Sequence, residues 1–163
     1  MSVKIKNRHR LKDKDIKDII DKLKNKYSSE FFSLKSSIEI GNLQDFKVIF
    51  VDGDIDFMII GENIVITLRG LLKYKPKEYF VVVDMGAVGF VVKGADVMTP
   101  GIVDVDFRIK KDDYVWVCDE NHRKPISVGI ALMSGEEMKN KDNGKAIKNI
   151  HYIGDKLWSL SEN

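Results

Sequence analysis

The sequence predicts an α+β fold made of two small domains: an N-terminal α/β meander domain over residues 1–75 and a C-terminal β-barrel over residues 76–163. Three observations lead to this fold. Apolar residues recur at helical spacing near the start, short β-rich runs follow, and beyond residue 80 strands alternate with brief helices and glycine-bounded turns. A chain of 163 residues with 44% hydrophobic residues is long enough to bury a core in each of two such domains.

The first predicted helix covers residues 13–27, with Asp13 as its N-cap. Its apolar stripe consists of Ile16, Ile19, Ile20, Leu23 and Tyr27. The opposite face mixes lysines with aspartates, and this pattern suits ordinary pairing along a helix as well as it suits phosphate binding. Residues 3–10 form either a short strand or a basic arm, and a second, shorter helix is predicted through Phe31 and Phe32.

An antiparallel meander is predicted next, from three β-rich runs: Phe46–Val51, Ile55–Ile60 and Asn63–Ile66. Asp52-Gly53 and Gly61-Glu62-Asn63 separate the runs, and both are good turn sequences. The alternate carboxylates Asp52, Asp54 and Asp56 resemble part of a calcium loop, but no Glu follows at the twelfth position, so no metal site is expected. Residues 65–76 are interpreted as the seam between the domains.

The C-terminal domain begins with a predicted strand over Phe80–Val83, followed by a short apolar helix over Met85–Val92. Asp84 is the expected N-cap, and Gly94 is the expected stop because glycine readily adopts the left-handed conformation that ends helices. Residues 95–101 are predicted to form a loop, since Pro100 cannot donate a hydrogen bond to a sheet.

The remaining elements are predicted from local patterns. Tyr114–Asp119 and Ile126–Leu132 are strands, and Gly129 permits the kink that a small barrel requires. Ser134 with Glu137 forms a capping box that starts a brief helix. The turn Asn143-Gly144 leads into a last strand, Lys145–Tyr152, which completes a compact, mostly antiparallel barrel.

Charge and side-chain chemistry point to binding rather than catalysis. Residues 1–26 hold ten Lys or Arg against four Asp, whereas residues 76–163 hold twelve basic and fourteen acidic residues. This asymmetry favours an anionic partner such as RNA, with a merely solvated basic helix as the alternative. The three histidines are scattered, the sequence has no P-loop, and Cys118, the only cysteine, is expected as a buried strand thiol. No enzyme activity, cofactor or metal is therefore predicted.

The same patterns indicate a cytoplasmic protein. No apolar run has the length of a membrane span, and the lysine-rich start lacks the apolar core of a signal peptide. A single cysteine rules out an intramolecular disulfide and gives no sign of an oxidising compartment.

Two motifs carry a resemblance to a known family. VDMGAVGFVVKGADVMTPGI and GKAIKNIHYIGDKLW resemble the RNA-binding PUA domain, named for pseudouridine synthases and archaeosine transglycosylases. A Thr67-Leu68-Arg69 element with a basic tyrosine stretch lies directly before that domain, an arrangement similar to the malignant-T-cell-amplified-sequence family of translation regulators and to the matching half of ligatin. Family members often have Pro before this element, where this chain has Ile66.

The resemblance implies a noncatalytic translation factor whose PUA domain holds the tRNA 3′ end on the small ribosomal subunit during initiation or recycling. It also implies a partner resembling density-regulated protein. The alternative is an accessory subunit that delivers RNA to a separate modification enzyme. Lys14, Lys17 and Lys24 are the expected contacts with the ribosome or a partner. The implied RNA-binding residues are Lys93, Gly94, Ala95, Asp96, Val97, Met98, Gly101, Lys145, Lys148 and His151.

Overall fold

The computed structural model describes residues 4–44 and 46–161. The chain divides into two compact units, Met1–Lys77 and Glu78–Asn163. Across the described residues no helix has the length and apolar character needed to cross a membrane. The predicted α+β fold class is confirmed, with a β-meander in the first unit and a nearly closed β-barrel in the second.

The N-terminal unit is one antiparallel sheet with two helices. Its elements are β1 (Lys6–Arg10), α1 (Asp13–Lys26), β2 (Ile38–Leu43), β3 (Phe46–Val51), β4 (Asp54–Ile60), β5 (Asn63–Ile66) and α2 (Leu68–Tyr74). The strands lie in the order β1-β2-β3-β4-β5, so β1 is an edge strand that pairs only with β2. This order confirms the predicted meander. The pairing of β1 with β2 shows that the first segment contains a strand and is not only a basic arm.

Two predictions about the first helices are wrong. Lys12, not Asp13, occupies the N-cap of α1, and its side chain makes no capping hydrogen bond; Asp13 lies in the first turn, where its charge still complements the helix dipole. No helix forms through Phe31 and Phe32. The Phe31 ring instead packs edge-on against Tyr27, Phe57 and Tyr74, so burial of the ring prevails over the weak local helix preference.

The Thr-Leu-Arg element starts helix α2, which the sequence did not predict. Thr67 is its N-cap: Oγ1 accepts a hydrogen bond from the backbone N–H of Gly70 (3.1 Å) and donates one to the carbonyl of Ile55 (2.8 Å). Thr67 is buried, so both bonds form away from water. The element therefore anchors α2 to strand β4.

Asp56, one of the three alternate carboxylates after β3, lies in the core of the N-terminal unit. Its fully buried carboxylate accepts hydrogen bonds from Lys73 Nζ (2.9 Å) and from the Tyr74 hydroxyl. Burial raises the pKa of Asp56, and the bonds from Tyr74 and Lys73 oppose that rise without cancelling it. Among the described residues no His, Cys, Asp and Glu group is arranged to hold a metal ion.

The C-terminal unit is a six-stranded, nearly closed barrel. Its elements are β6 (Phe80–Val83), α3 (Met85–Val91), β7 (Val97–Met98), a 3₁₀ turn (Thr99–Gly101), β8 (Ile102–Val105), β9 (Tyr114–Asp119), β10 (Pro125–Ala131), α4 (Gly135–Asn140), β11 (Lys145–Tyr152) and α5 (Lys156–Ser161). The strand order is β7-β11-β10-β9-β6-β8. Every pair is antiparallel except β6 with β9.

Most local predictions in this unit are confirmed. Ser134 and Glu137 form the capping box of α4, and Asp84 caps α3 through a bond from the Ala87 N–H (2.9 Å). A Cβ on Gly129 would lie 2.4 Å from the carbonyl oxygen of Lys148, so the strands approach there as only glycine allows. The prediction of a loop over residues 95–101 is wrong for most of the segment. Its centre forms β7, because Val97 and Met98 pair with β11, and its end forms the 3₁₀ turn.

Candidate RNA-binding site

A groove of about 580 Å³ opens on the C-terminal unit between α3, the segment that contains β7, and the start of β11. Its walls are mainly apolar, and three charged side chains reach it: Asp84, Asp96 and Lys145. The other lining residues are Gly86, Ala87, Phe90, Val91, Ala95, Val97, Met98, Pro100 and Gly101. Shape and chemistry suit a flat ring lying against apolar walls, with cations near the rim.

Helix α3 divides its residues between the core and the groove side. Val91 is buried and Ala87, Val88 and Val92 pack against the core. The exposed side carries Met85, Gly86, Gly89 and Phe90, and 69% of the Phe90 surface is exposed. Two glycines thus lie between two large apolar side chains, which leaves the backbone open beside an unpacked aromatic ring.

Gly94 ends the helix as predicted. The Gly94 N–H donates to the Val91 carbonyl (3.0 Å) and the Ala95 N–H to the Phe90 carbonyl (3.1 Å), the hydrogen-bond pattern of a Schellman motif. Gly94 has φ +97°, a conformation that favours glycine. A Cβ at this position would lie 3.0 Å from the ring of Tyr152, so a larger residue would meet that ring and not the open groove.

Asn149 on β11 holds the end of helix α3 and the turn after it in place. Its side-chain amide donates to the carbonyls of Val91 and Ala95, both at 3.0 Å, and its backbone N–H donates to Asp96 Oδ1 (2.8 Å). Asp96 also pairs with Lys145 Nζ (3.0 Å). The hydrogen bond from the Asn149 N–H, and after it the hydrogen bond and charge of Lys145, lower the pKa of Asp96. The carboxylate therefore stays charged in this position.

The structure brings six of the ten residues implied by the resemblance to the groove wall: Ala95, Asp96, Val97, Met98, Gly101 and Lys145. Lys93 and Lys148 are exposed but do not line the groove; the charge of Lys148 contributes to lowering the pKa of Asp96 on its wall. Val97 is not available to a base, because its side chain belongs to the hydrophobic core and is 1% exposed. Met98, which is 48% exposed, is the apolar side chain that remains available.

His151 lies inside the domain rather than on that surface. It is 2% exposed, and its Nδ1 lies 2.8 Å from Asp155 Oδ2. Asp155 also accepts from the backbone N–H groups of Tyr152 (2.9 Å) and Trp158 (2.8 Å), so it joins the end of β11 to α5. Burial raises the pKa of Asp155, but the bonds from His151 and the backbone outweigh it and bring the pKa below its ordinary value. His151 therefore helps to hold the end of β11 and α5 together inside the domain.

Cys118 is buried on strand β9, as expected. Burial raises the pKa of its thiol to about 12, so the thiolate that a nucleophile requires is not formed near neutral pH.

The predicted contacts of the N-terminal unit lie along α1. Lys14, Lys17 and Lys24 are all exposed. Lys17 and Lys24 border a second groove, of about 710 Å³, between α1 and residues 30–36. Phe31, Phe32 and Leu34 line its floor, and Asp21 and Glu30 also border it, so its rim carries both signs of charge.

Sequence reasoning missed Phe90 and Asn149. Phe90 has a sequence signal: a seven-residue helix with apolar residues around its whole circumference cannot bury all of them against one barrel. Asn149 has none, because its partners on α3 and the following turn lie more than fifty positions earlier in the chain.

Comparison with known proteins supports the assignment of both units. A family model described as the PUA domain matches residues 79–153, and one described as a domain of unknown function (DUF1947) matches residues 7–74. A solved structure of a hypothetical protein from Pyrococcus horikoshii is similar with a TM-score of 0.85 and 36% identity, over 94% of this chain and 99% of that one.

Three curated relatives show how far the similarity extends. An uncharacterized protein of Methanocaldococcus jannaschii is 48% identical over 97% of this chain and 99% of its own length. Translation machinery-associated protein 20 of Saccharomyces cerevisiae is 31% identical over 90% of this chain and 80% of its own length. Human malignant T-cell-amplified sequence 2 is 36% identical over 58% of this chain and 54% of its own length. The chain therefore belongs to the family of PUA-domain proteins that includes translation machinery-associated protein 20 and the malignant T-cell-amplified sequence proteins.

Proposed function

We propose that this protein is a noncatalytic, RNA-binding translation factor whose groove holds the single-stranded 3′ end of tRNA on the small ribosomal subunit. The groove itself carries the proposal: it joins an exposed aromatic ring, an exposed methionine and an open glycine backbone. The exposed Lys93 and Lys148 are the proposed phosphate contacts. Single-stranded RNA is bound by stacking on such apolar surfaces and by cations along its backbone. The names of the relatives support a role in translation.

The charges around the groove favour a base over a phosphate in its interior. Asp84 and Asp96 line the wall, and Asp96 neutralises Lys145. Glu120 accepts a hydrogen bond from the Met85 N–H (2.8 Å), which places another carboxylate at the start of α3. Phosphates are therefore expected outside, near Lys93 and Lys148, with bases directed inward.

The N-terminal unit is proposed to contact the small subunit or a partner protein resembling density-regulated protein. The groove between α1 and residues 30–36 offers an apolar floor with a rim of mixed charge, which is the pattern of a protein-binding surface.

The test compares the binding of intact tRNA with that of tRNA lacking its CCA end. We expect the parent protein to bind intact tRNA more tightly, and Phe90→Ala to weaken that binding by about 1–3 kcal/mol through lost stacking. Lys93→Ala removes one phosphate contact, and Lys111→Ala, an exposed lysine outside the groove, is the control. Thermal melts check folding. Equal affinity of the parent for both tRNAs would contradict the proposal and favour an accessory subunit that serves a modification enzyme.

A further inference from the structure

We infer that the edge strand β1 and its flanking residues form a second RNA-binding surface, one that contacts the phosphate backbone of folded RNA. The segment from Lys4 to Lys12 contains five Lys or Arg, one His and no acidic residue. Every residue of β1 is exposed. The inference rests on the proposed function in taking RNA as the ligand, and it adds where folded RNA is held.

One arginine of the strand has a structural role. Arg8 forms two hydrogen bonds with the carboxylate of Glu39, at 2.9 and 3.2 Å, and its guanidinium lies 3.8 Å from the centre of the Phe50 ring. This arrangement fixes the strand against the sheet. It also occupies Glu39, which lies opposite Arg10 in the register of β1 and β2.

The other cations of the segment have no acidic partner among the described residues. Within the part of the chain that the structure describes, Lys4, Lys6, Arg10 and Lys12 form no ion pair with a carboxylate. Positive charge lies on both faces of the sheet at this edge. On one face Lys6 lies opposite Asn42 and Asn42 opposite Lys47, which places these side chains in one row. Arg10 lies opposite Glu39, three positions from Asn42 on β2, so its side chain belongs to the other face. Lys47 is exposed as well.

The chemistry of this surface fits phosphates better than protein. Protein interfaces have apolar, aromatic centres and are depleted in Lys, whereas phosphate contacts use Lys and Arg without needing apolar side chains. Helix α1 is the contrasting case: its lysines alternate with Asp15, Asp18 and Asp21, so its field is nearly neutral. We therefore place the backbone contact on β1 and not on Lys14, Lys17 and Lys24.

Two variants with equal loss of charge test the inference in the full-length protein. The β1 variant is Lys4→Gln, Lys6→Gln and Arg10→Gln, with Arg8 kept because it anchors the strand. The α1 variant is Lys14→Gln, Lys17→Gln and Lys24→Gln. The probes are a blunt RNA duplex of about 16 base pairs, which spans two minor grooves, and a short single-stranded RNA ending in CCA. Binding is measured over a range of salt concentrations.

We expect the β1 variant to bind the duplex about tenfold or more weakly at low salt, and the slope of log affinity against log salt to fall in magnitude by about 3. The α1 variant should keep duplex affinity within about twofold, and both variants should bind the single strand like the parent, since the groove is untouched. Melting temperatures equal to the parent's exclude misfolding.

The inference is overturned if the β1 variant binds duplex like the parent, if both variants lose equally, or if the parent does not bind duplex at all. Competition by polyglutamate as effective as that by RNA would also overturn it, in favour of an acidic protein partner. None of these results bears on discrimination of the CCA end, so the groove proposal is tested separately.

Discussion

Gly94 shows how one residue connects the end of a helix to a site. Its left-handed backbone closes the turn after α3, and its missing side chain leaves room for the ring of Tyr152. The sequence indicated the helix stop, and the resemblance implied a role for Gly94 in RNA binding. The contact with Tyr152 means that a substitution acts through the fold first and through the groove second.

We predict that Gly94→Ala lowers the free energy of unfolding by about 1 kcal/mol or more, because alanine resists the left-handed conformation and its Cβ contacts the Tyr152 ring. Gly89→Ala is the matched control. It lies on the exposed side of α3 with no atom within 4 Å of its Cβ, so it should raise stability by about 0.5–1 kcal/mol. Urea denaturation measures both. An unchanged midpoint for Gly94→Ala would contradict the prediction.

Among the elements, α2 illustrates what a family motif does physically. The Thr-Leu-Arg sequence that supported the resemblance encodes the start of a helix, with Thr67 bridging β4 and the first turn. Gly70 fits the same junction, since a Cβ there would lie 2.5 Å from the carbonyl oxygen of Asp56. The motif thus maintains the packing of the N-terminal unit.

We expect Thr67→Val to lower the free energy of unfolding of the N-terminal unit by about 1–2 kcal/mol, because the N-cap bond is lost and the buried Ile55 carbonyl loses its donor. Thr67→Ser keeps the hydroxyl and should retain most of the stability. Chemical denaturation monitored by circular dichroism compares the two. A loss of stability in Thr67→Ser with little loss in Thr67→Val would mean that the methyl group, not the hydroxyl, is responsible.

Prediction from sequence succeeded for elements whose signals are local. The capping box at Ser134, the N-cap Asp84 and the meander strands each depend on a few adjacent residues, and all were found. Prediction failed where contacts between residues far apart in the sequence determine the local structure. Phe31 lies outside a helix, with its ring packed against three other rings, and β7 exists only because β11 pairs with it. Half-buried side chains of the groove, such as Met98, carry no signal that distinguishes them from the core residue Val97.

At the scale of the whole molecule, charge is divided between the two units. The excess of positive residues belongs to the first 26 positions, whereas the C-terminal unit has slightly more acidic than basic residues. Of the three lysines proposed near the groove, Lys145 is neutralised by Asp96. The two modes of RNA binding should therefore respond differently to salt.

We predict a shallow salt dependence for a short single strand, with a slope of log affinity against log salt of about −1 to −2, because about two cations contact its backbone. Intact tRNA, for which we propose an additional contact with the basic N-terminal segment, should show a clearly steeper slope. Fluorescence anisotropy from low to moderate salt measures both slopes. Equal slopes for the two RNAs would place all the charged contacts in one unit.

The pairing of β7 with β11 also sets an order of events during synthesis. The groove requires Asn149 to hold the turn after α3 and Lys145 to meet Asp96, and among the residues that the structure describes β7 pairs with β11 alone. Both residues are made about fifty positions or more after the segment they hold, and a chain is released from the ribosome from its N-terminus onward. A nascent chain therefore acquires this groove only after its final barrel strand has left the exit tunnel, and until then the surface that we propose for RNA is not assembled.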